Sequence, residues 1–242
     1  MSVPARAAVL LVAFVAVVAG AVFVVIHYIG GYGGTVPTVN YVPMAHNGQV
    51  NVVLQEDPQT TVSSRPDWVT YFVQDPATHK WVHTTLFSVP KNTQVNVTLY
   101  GYDGCTPLRN NFWSQVQGTI GGTVGVQQFL KGRPLGPART TSVINGWSSC
   151  NVGHTFAIPA LHLFVPVASP GPLLSANSLC GVSPGQPSCG PYAVEKFSFR
   201  TPNHTASIRW QCFIPCGGGF IDGNGGPMQT LGYMTGFMQV VD

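Results

Sequence analysis

The stretch RWQCFIPCGG, Arg209 to Gly218, decides the fold of this chain. It begins as a strand pattern and ends as a loop with two cysteines four positions apart. Upstream, NVGHTFAIP (Asn151 to Pro159) places a single histidine on an apolar strand. Downstream, GYMTGFMQVV (Gly232 to Val241) places a methionine on a returning strand. The three stretches therefore predict strands that carry the side chains of one site.

The candidate site consists of one imidazole, two thiols and one thioether, which belong to His154, Cys212, Cys216 and Met234. Soft donors of this kind suit copper. Two thiolates can bridge two copper ions, but each ion then needs a further nitrogen, and no histidine follows Cys216. A loop would have to bring a second nitrogen from His162, the first candidate, or from His46. The other histidines are His27, His79, His83 and His204.

The same residues allow an interpretation without metal. In an exported protein, a CxxxC pair that binds no metal oxidises to a disulfide, and a tight loop keeps its Cα atoms within the roughly 7 Å that a bridge needs. Cys212 and Cys216 would then form a disulfide, and His154 would be a core histidine that donates to a backbone carbonyl. Reduced thiols and another metal are further alternatives.

Composition independently favours an all-β domain. Hydrophobic residues are 45% of the 242 residues, which is enough for a buried core, and 28 glycines with 20 prolines require many loops. The repeated Val, Thr, Phe and Tyr favour strands. The net charge of +3 is small, and Lys and Arg form no run, so nucleic acid is not an expected partner.

Seven or eight short strands are expected, and no stretch has the pattern of a convincing amphipathic helix. This number of strands predicts a Greek-key sandwich. The predicted strands are Val50–Gln55, Trp68–Val73, Trp81–Phe87, Gln94–Tyr102, His154–Ile158, Glu195–Arg200, Ala206–Cys212 and Met234–Val241.

An uncharged run of 23 residues, Ala7 to Ile29, lies near the N-terminus. As a helix it would reach roughly 35 Å, enough to cross a hydrocarbon core of about 30 Å. It predicts a retained single-pass membrane anchor, with a cleaved signal peptide as the alternative. Arg6 lies on the short N-terminal side, so the positive-inside rule places the following domain outside the cytoplasm.

The predicted organisation is an anchor at residues 1–29, a Gly/Pro-rich tether at 30–46 and one domain at 47–242. Two stretches interrupt the strand pattern of this domain as insertions, at about 103–150 and 171–191. The first is rich in Gly and Asn, and the second is rich in Pro, Gly and Ser. The tether is expected to be flexible.

Cysteines border both predicted insertions, and an exported domain permits disulfides. We therefore expect the pairs Cys105–Cys150 and Cys180–Cys189. The first bridge would stabilise the fold by on the order of 4 kcal/mol in the chain-entropy description.

The order of these elements resembles subunit II of the haem-copper respiratory oxidases, in the type with one transmembrane helix and a cupredoxin domain. The resemblance is carried by VPKNTQVNVTLYGYDG (Val89 to Gly104), NVGHTFAIPALHL, SFRTPNHTASIRWQCFIPCGG and YMTGFMQVV. It implies a Greek-key cupredoxin-like sandwich with a binuclear copper A centre. The ligands that it implies are His154, Cys212, Ile214 through its backbone carbonyl, Cys216 and Met234. The second histidine of that family is missing, because its spacing falls on Phe220 or Leu231.

The resemblance also implies a non-catalytic subunit of a cytochrome c or quinol oxidase complex in the cell membrane. With copper bound, the domain would pass electrons from an exterior donor to the haem-copper catalytic subunit, and an aromatic such as Trp210 or Trp81 near the site would favour this. Membrane lipid is a further expected partner. A copper-less structural or docking subunit, as in quinol oxidases, and a free-standing anchored binding module are the alternatives. No G-x-S-x-G, HExxH or paired-carboxylate motif supports hydrolytic catalysis.

Overall fold

The chain divides into two units, Met1–Thr35 and Val36–Asp242. The computed structural model describes residues 3–30, 36–58, 68–102, 108, 110–144, 152–169, 191–214, 216 and 226–242. The first unit is one helix, and the second is built of strands with short 3₁₀ turns.

The helix, α1, runs from Val3 to Gly30 and contains the uncharged run of the sequence. Its segment Ala5–Phe23 is long and apolar enough to cross a membrane, and none of it is buried within the protein. A helix suits a lipid surrounding because its backbone hydrogen bonds are satisfied internally. A signal sequence near the N-terminus also meets these criteria of length and composition, so the anchor and its orientation stay predictions.

The second unit is a sandwich of two β-sheets. Its longest strands lie at the centre of the sheets, and short strands lie at the edges. The strands are β1 (Thr38–Asn40), β2 (Gln49–Asp57), β3 (Thr70–Gln74), β4 (Trp81–Val82), β5 (Leu86–Pro90), β6 (Gln94–Gly101), β7 (Val124–Leu130), β8 (Arg133–Pro134), β9 (Arg139–Thr141), β10 (Val152–Ile158), β11 (Leu163–Ala168), β12 (Pro191–Arg200), β13 (Ala206–Gln211) and β14 (Thr235–Val241).

One sheet has the order β1-β5-β14-β13-β10-β11, and the other has the order β4-β3-β2-β6-β12-β7-β8, with β9 also paired to β7. Strand β5 runs parallel to β1 and β14, and β2 runs parallel to β6. Parallel neighbours need crossover connections, so the chain passes repeatedly between the two sheets. The predicted all-β sandwich with one N-terminal apolar helix is confirmed.

The core lies between the sheets and follows from the alternation of residues along the strands. Every second residue of β6 is buried, so Val95, Val97 and Leu99 face the interior. Trp210 comes from the opposite sheet and is fully buried, with its ring 4.9 Å from that of Phe156. This packing holds the ends of the strands in fixed positions, and the candidate ligands lie at those ends.

The predicted strand Trp81–Phe87 is in fact two strands, β4 and β5, which belong to different sheets. Between them, the backbone oxygen of Thr85 accepts hydrogen bonds from Trp210 Nε1 at 2.9 Å and from Phe237 N at 3.1 Å. Gly236 makes this close approach possible, because a Cβ at that position would lie 1.9 Å from the Thr85 oxygen. The chain therefore leaves one sheet and joins the other within a few residues.

Strands also form where the sequence predicted connections. Strands β7, β8 and β9 lie within the stretch predicted as the first insertion, and β7 pairs with β12. Strand β1 lies within the stretch predicted as a tether. In β7 only Val124 and Val126 are buried, and so short an apolar alternation gives little strand signal among glycines.

Candidate metal centre

Three strands bring the predicted site residues together at one end of the sandwich. His154 is in β10, Cys212 follows β13, and Met234 precedes β14. The pairing of Ala157 with Gln211 joins β10 to β13. The backbone N–H of Cys212 donates to the Met234 oxygen at 2.9 Å. Strand pairing therefore creates this neighbourhood from distant parts of the sequence.

The imidazole and the two thiols form a compact buried group. Nδ1 of His154 lies 3.0 Å from Cys216 Sγ and 3.7 Å from Cys212 Sγ, and the two sulfurs are 3.1 Å apart. The three residues are 4%, 2% and 0% exposed, respectively. Their ligand atoms all lie within 4.8 Å of one another, so one ion can contact all three.

Cys212 and Cys216 are not joined by a disulfide. Their sulfurs are 3.1 Å apart, whereas a disulfide bond is roughly 2.05 Å long. The Cys216 thiol instead donates a hydrogen bond to the Cys212 sulfur. The interpretation of this pair as a disulfide is therefore wrong. Two unbonded thiols at this distance are a preformed site for a thiophilic ion.

The backbone carbonyl of Ile214 points into the same group. Its oxygen lies 2.8 Å from Cys216 Sγ and 3.5 Å from Cys212 Sγ. Met234 is fully buried beside these residues, and the sulfur of Met228 accepts from the Cys216 backbone N–H at 3.4 Å. Ile214 and Met234 thus lie where the resemblance placed further ligands, and their binding of metal stays a prediction.

Thr155 supports the Cys212 sulfur from β10. Its backbone N–H donates to Sγ at 3.3 Å, and its hydroxyl oxygen accepts from the Phe213 N–H at 2.8 Å. Burial raises the pKa of the Cys212 thiol, but hydrogen bonds with Cys216 and His154, the imidazolium charge and the Thr155 N–H outweigh burial and hold this pKa well below its ordinary value. Cys212 is therefore predisposed to the thiolate form that binds metals.

Tyr71 of β3 packs against the same group. Its hydroxyl donates to the Thr155 carbonyl at 3.1 Å. Burial, and after it the negative charges of Cys212 and Glu56, raise the pKa of Tyr71 well above its ordinary value. Tyr71 is therefore a neutral donor that ties β3 to β10 at the site.

Glu56 is a neighbour of the site that the sequence analysis missed. Its Oε1 lies 3.3 Å from Nε2 of His154, and the residue is fully buried near the end of β2. Sequence periodicity contained the signal, because Val50, Val52, Leu54 and Glu56 occupy alternate positions of one strand. A glutamate at a buried position of an otherwise apolar strand is therefore the sequence signal that could have identified Glu56.

No second histidine joins this group in the described part of the chain. His162 ends the turn after β10, whereas His154 lies near the start of that strand, roughly 13 Å away at strand spacing. His46 pairs with Gln49 at the start of β2, and Glu56 lies near the other end of β2. Neither of the histidines considered as a second nitrogen donor reaches the site.

An aromatic cluster connects the site to the surface. Phe213, which follows the first cysteine, stacks on Trp113 with ring centroids 5.7 Å apart and planes at 23°. Phe112 is 44% exposed, and its ring lies 5.4 Å from that of Trp113. Of the two tryptophans considered from the sequence, Trp210 is fully buried and Trp81 belongs to the edge strand β4 of the other sheet.

Several predicted positions lie outside the described residues. They are Cys105, Cys150, Cys180, Cys189 and Phe220. The two predicted disulfides therefore stay predictions. Leu231, the other position that spacing gives to the missing histidine, is 40% exposed and pairs with Thr235.

No known protein-family profile matches this chain, and no curated protein sequence matches it. Solved structures of rusticyanin are similar to it. For one, described as a copper protein, the identity is 14% over 84% of this chain and 82% of that chain, with a TM-score of 0.30. For rusticyanin from Thiobacillus ferrooxidans, the identity is 14% over 84% of this chain and 82% of that chain, with a TM-score of 0.31. For reduced rusticyanin, the identity is 16% over 89% of this chain and 95% of that chain, with a TM-score of 0.30. TM-scores of this size support no conclusion about the fold or the function of this chain. Its fold is established by the strand pairing described above.

Proposed function

We propose that this domain binds copper through His154, Cys212 and Cys216 and transfers electrons outside the cytoplasm. The observation that carries the proposal is the convergence of two cysteine sulfurs and one imidazole nitrogen within 4.8 Å of one another, all three residues being buried. Thiolate and imidazole are donors that suit copper and zinc. The number of donors then decides between these two metals.

Three strong donors fit copper better than zinc. A structural zinc site is closed by four strong ligands, and a catalytic zinc site has three but keeps a fourth position open to water. The donors here are at most 4% exposed. Copper in electron-transfer proteins takes three strong donors and a weak axial methionine or carbonyl. Met234 and the Ile214 carbonyl are the available weak donors. A single copper ion would therefore find a complete ligand set in the described residues. The binuclear copper A centre that the resemblance implies would need a second nitrogen.

Bound copper would supply a one-electron redox couple. The chain contributes the rest of the chemistry. Burial excludes water from the three donors, which are at most 4% exposed. The Thr155 N–H holds Cys212 from β10, and the Met234 carbonyl holds it from the residue before β14. A ligand group that is fixed in advance needs little rearrangement when the charge of the site changes.

The stacked pair Phe213 and Trp113 is the proposed route between the site and a redox partner. Phe213 is bonded to the residue that carries one of the sulfurs, and Trp113 is only partly buried. Phe112 extends the same cluster to the surface. An exterior electron donor or the haem-copper catalytic subunit would dock against this cluster.

The cellular setting is proposed from the sequence resemblance and α1. In it, α1 anchors the domain in the cell membrane, the domain faces the exterior, and a haem-copper oxidase complex is the partner assembly. Protease added to intact cells should digest the domain and leave an anchored N-terminal fragment. Complete protection of the domain would contradict the orientation.

Copper titration of the full-length protein in detergent tests the proposed function. We expect one copper ion per chain and a visible thiolate-to-copper absorption band, both lost in Cys212→Ser. His204→Ala is the matched control, because His204 is an exposed histidine that contacts Asn203. A wild-type protein that takes up no more copper than Cys212→Ser would overturn the proposal. Preference for zinc over copper would do the same.

The second candidate is a copper-less structural or docking subunit. The observation that favours it is the lack of a second histidine at the site among the described residues. Under this hypothesis the thiols stay free, and the domain serves the complex through its surface. The copper titration separates the two functions, because only the first predicts stoichiometric metal.

A further inference from the structure

Glu56 is a buried carboxylate that faces the ring of His154. Its three inward-facing predecessors on β2, Val50, Val52 and Leu54, are all apolar and buried. A carboxylate at the next inward position is costly to bury unless it has a polar counterpart. The counterpart in reach is Nε2 of His154, 3.3 Å from Oε1.

We propose that Glu56 is the positioning residue of His154, keeping the ring proton on Nε2 so that Nδ1 is free to bind the metal. This role rests on the proposed copper function. The two ring nitrogens already face different groups, since Nδ1 lies 3.0 Å from Cys216 Sγ and Nε2 faces the carboxylate. A neutral imidazole that binds a metal through one nitrogen carries its hydrogen on the other.

The geometry leaves room for the contact to tighten. At 3.3 Å the Nε2 to Oε1 contact is longer than an ordinary hydrogen bond. A metal bound at Nδ1 would fix the ring plane and direct the Nε2–H onto Oε1. Outer carboxylates of this kind orient metal-binding histidines in many proteins.

Gly101 lies beside the carboxylate and lets Val167 of the other sheet approach closely. It pairs with Glu56 across β2 and β6, and a Cβ at Gly101 would lie 3.9 Å from Oε2 of Glu56 and 3.0 Å from Val167 Cγ1. Val167 in turn pairs with His154 across β10 and β11. The small residue therefore lies where the Glu56 carboxylate and the strand beside His154 come together.

Glu195 is a natural comparison for Glu56. It is equally buried and also faces the interior from β12, which lies beyond β6 in the same sheet. Its Oε1 accepts a hydrogen bond from the Ala168 backbone N–H at 2.6 Å. Its bond is therefore to the backbone rather than to a ligand of the site. Substitutions at Glu195 accordingly control for the general effect of removing a buried carboxyl group.

Copper affinity measured by competition with a chelator tests the proposal. Removing the acceptor in Glu56→Leu should weaken copper binding by about 10- to 100-fold. Glu56→Gln keeps an acceptor oxygen and should weaken binding by less than about 10-fold. Glu195→Leu should bind copper as wild type does. Equal affinity of wild type and Glu56→Leu would overturn the role of Glu56. A wild type that binds no copper would instead overturn the proposed function, and with it this role.

Nitrogen NMR of the histidine rings in the Cu(I)-loaded protein provides a readout that does not depend on the stability of a variant. Wild type and Glu56→Gln should show a His154 Nε2–H that exchanges slowly with solvent, and Glu56→Leu should lose this protection. Glu195→Leu should retain it. A wild-type ring that carries its proton on Nδ1, or a protected Nε2–H in Glu56→Leu, would overturn the proposal.

Discussion

The two ends of the sandwich interior differ in chemistry although the same strands build both. At the apolar end, Val50, Val95 and Phe199 form one row across β2, β6 and β12. At the polar end, the inward positions of the same sheet hold Glu56 and Glu195, and Glu56 lies against His154 of the opposite sheet. Strand alternation thus determines which positions are buried, whereas the residues at one end determine what the interior can bind.

The two ends also differ in what they contribute to stability. Each fully buried Val or Phe side chain stabilises the fold by about 1.5–3 kcal/mol. Buried carboxyl and thiol groups offer no such gain, and a carboxylate destabilises the fold unless hydrogen bonds compensate for its lost hydration. The thiols and Glu56 are therefore expected to be retained for binding, and changes at these residues and at the apolar end should separate binding from stability.

The largest effect is expected from Cys216→Ser at the polar end. This change removes one of two thiolates, so the thiolate-to-copper band and stoichiometric copper binding should be lost. The free energy of unfolding of the metal-free protein should change by less than about 3 kcal/mol, as for an ordinary substitution. Metal analysis and urea unfolding measure the two quantities. Unchanged copper binding would show that Cys216 is not a ligand.

The opposite result is expected from Phe199→Ala at the apolar end. The cavity left by the ring should lower the free energy of unfolding by about 3–5 kcal/mol. The copper affinity of the folded fraction should not change, because Phe199 lies at the far end of the interior. Urea unfolding of the metal-free protein and copper titration below the transition test this pair of expectations. A coupled loss of affinity would mean that the two ends are not independent.

A pH series probes the polar end without metal. Burial, opposed by the hydrogen bond from the Ala168 N–H, raises the pKa of Glu195 from its ordinary 4.5 to about 8. Between pH 4.5 and about pH 8, Glu195 therefore keeps a proton in the folded protein that it releases in the unfolded chain. The contribution of Glu195 to the free energy of unfolding is fully present below the pKa that Glu195 has in the unfolded chain. It is lost as pH rises through the folded-state pKa of about 8, by at most about 1.4 kcal/mol per pH unit.

Glu195→Gln should remove this slope, because the amide cannot ionise. Urea unfolding of metal-free wild type and variant between about pH 5 and pH 8 measures the difference. Burial also raises the pKa of Asp57, to about 7, so Asp57→Asn is the matched control and should flatten only the part of the slope below that pKa. Parallel profiles for wild type and Glu195→Gln would contradict a neutral Glu195.

The fold was predictable where alternation is strong and local. The β6 pattern and the loop from Cys212 to Cys216 are examples, because both are encoded by a few consecutive residues. The division of Trp81–Phe87 between two sheets was not predictable, since apolar periodicity does not say which sheet a strand joins. Strand β7 was missed because its alternation is short and surrounded by glycines.

The site was predictable in its donors but not in its surroundings. His154, Cys212 and Cys216 were identified because soft donors at these spacings suggest a metal. The contact of Glu56 with His154 depends on how the two sheets face each other, and that packing is not encoded in either strand alone. The redox state of the thiols also depends on the packing that holds them, so the sequence left a disulfide as an alternative.

The smallest effect is expected from His162→Asn, which compares the two ends of the β10–β11 hairpin. His162 is exposed at φ 52°, and Asn is among the residues that tolerate this left-handed conformation best. The free energy of unfolding should therefore stay within about 0.5 kcal/mol of wild type. Copper stoichiometry should stay at wild type too, because His154 lies at the other end of β10. Metal analysis of both proteins at saturating copper decides the question, and a drop in copper for His162→Asn would mean that the hairpin rearranges to bring a second imidazole to the thiols.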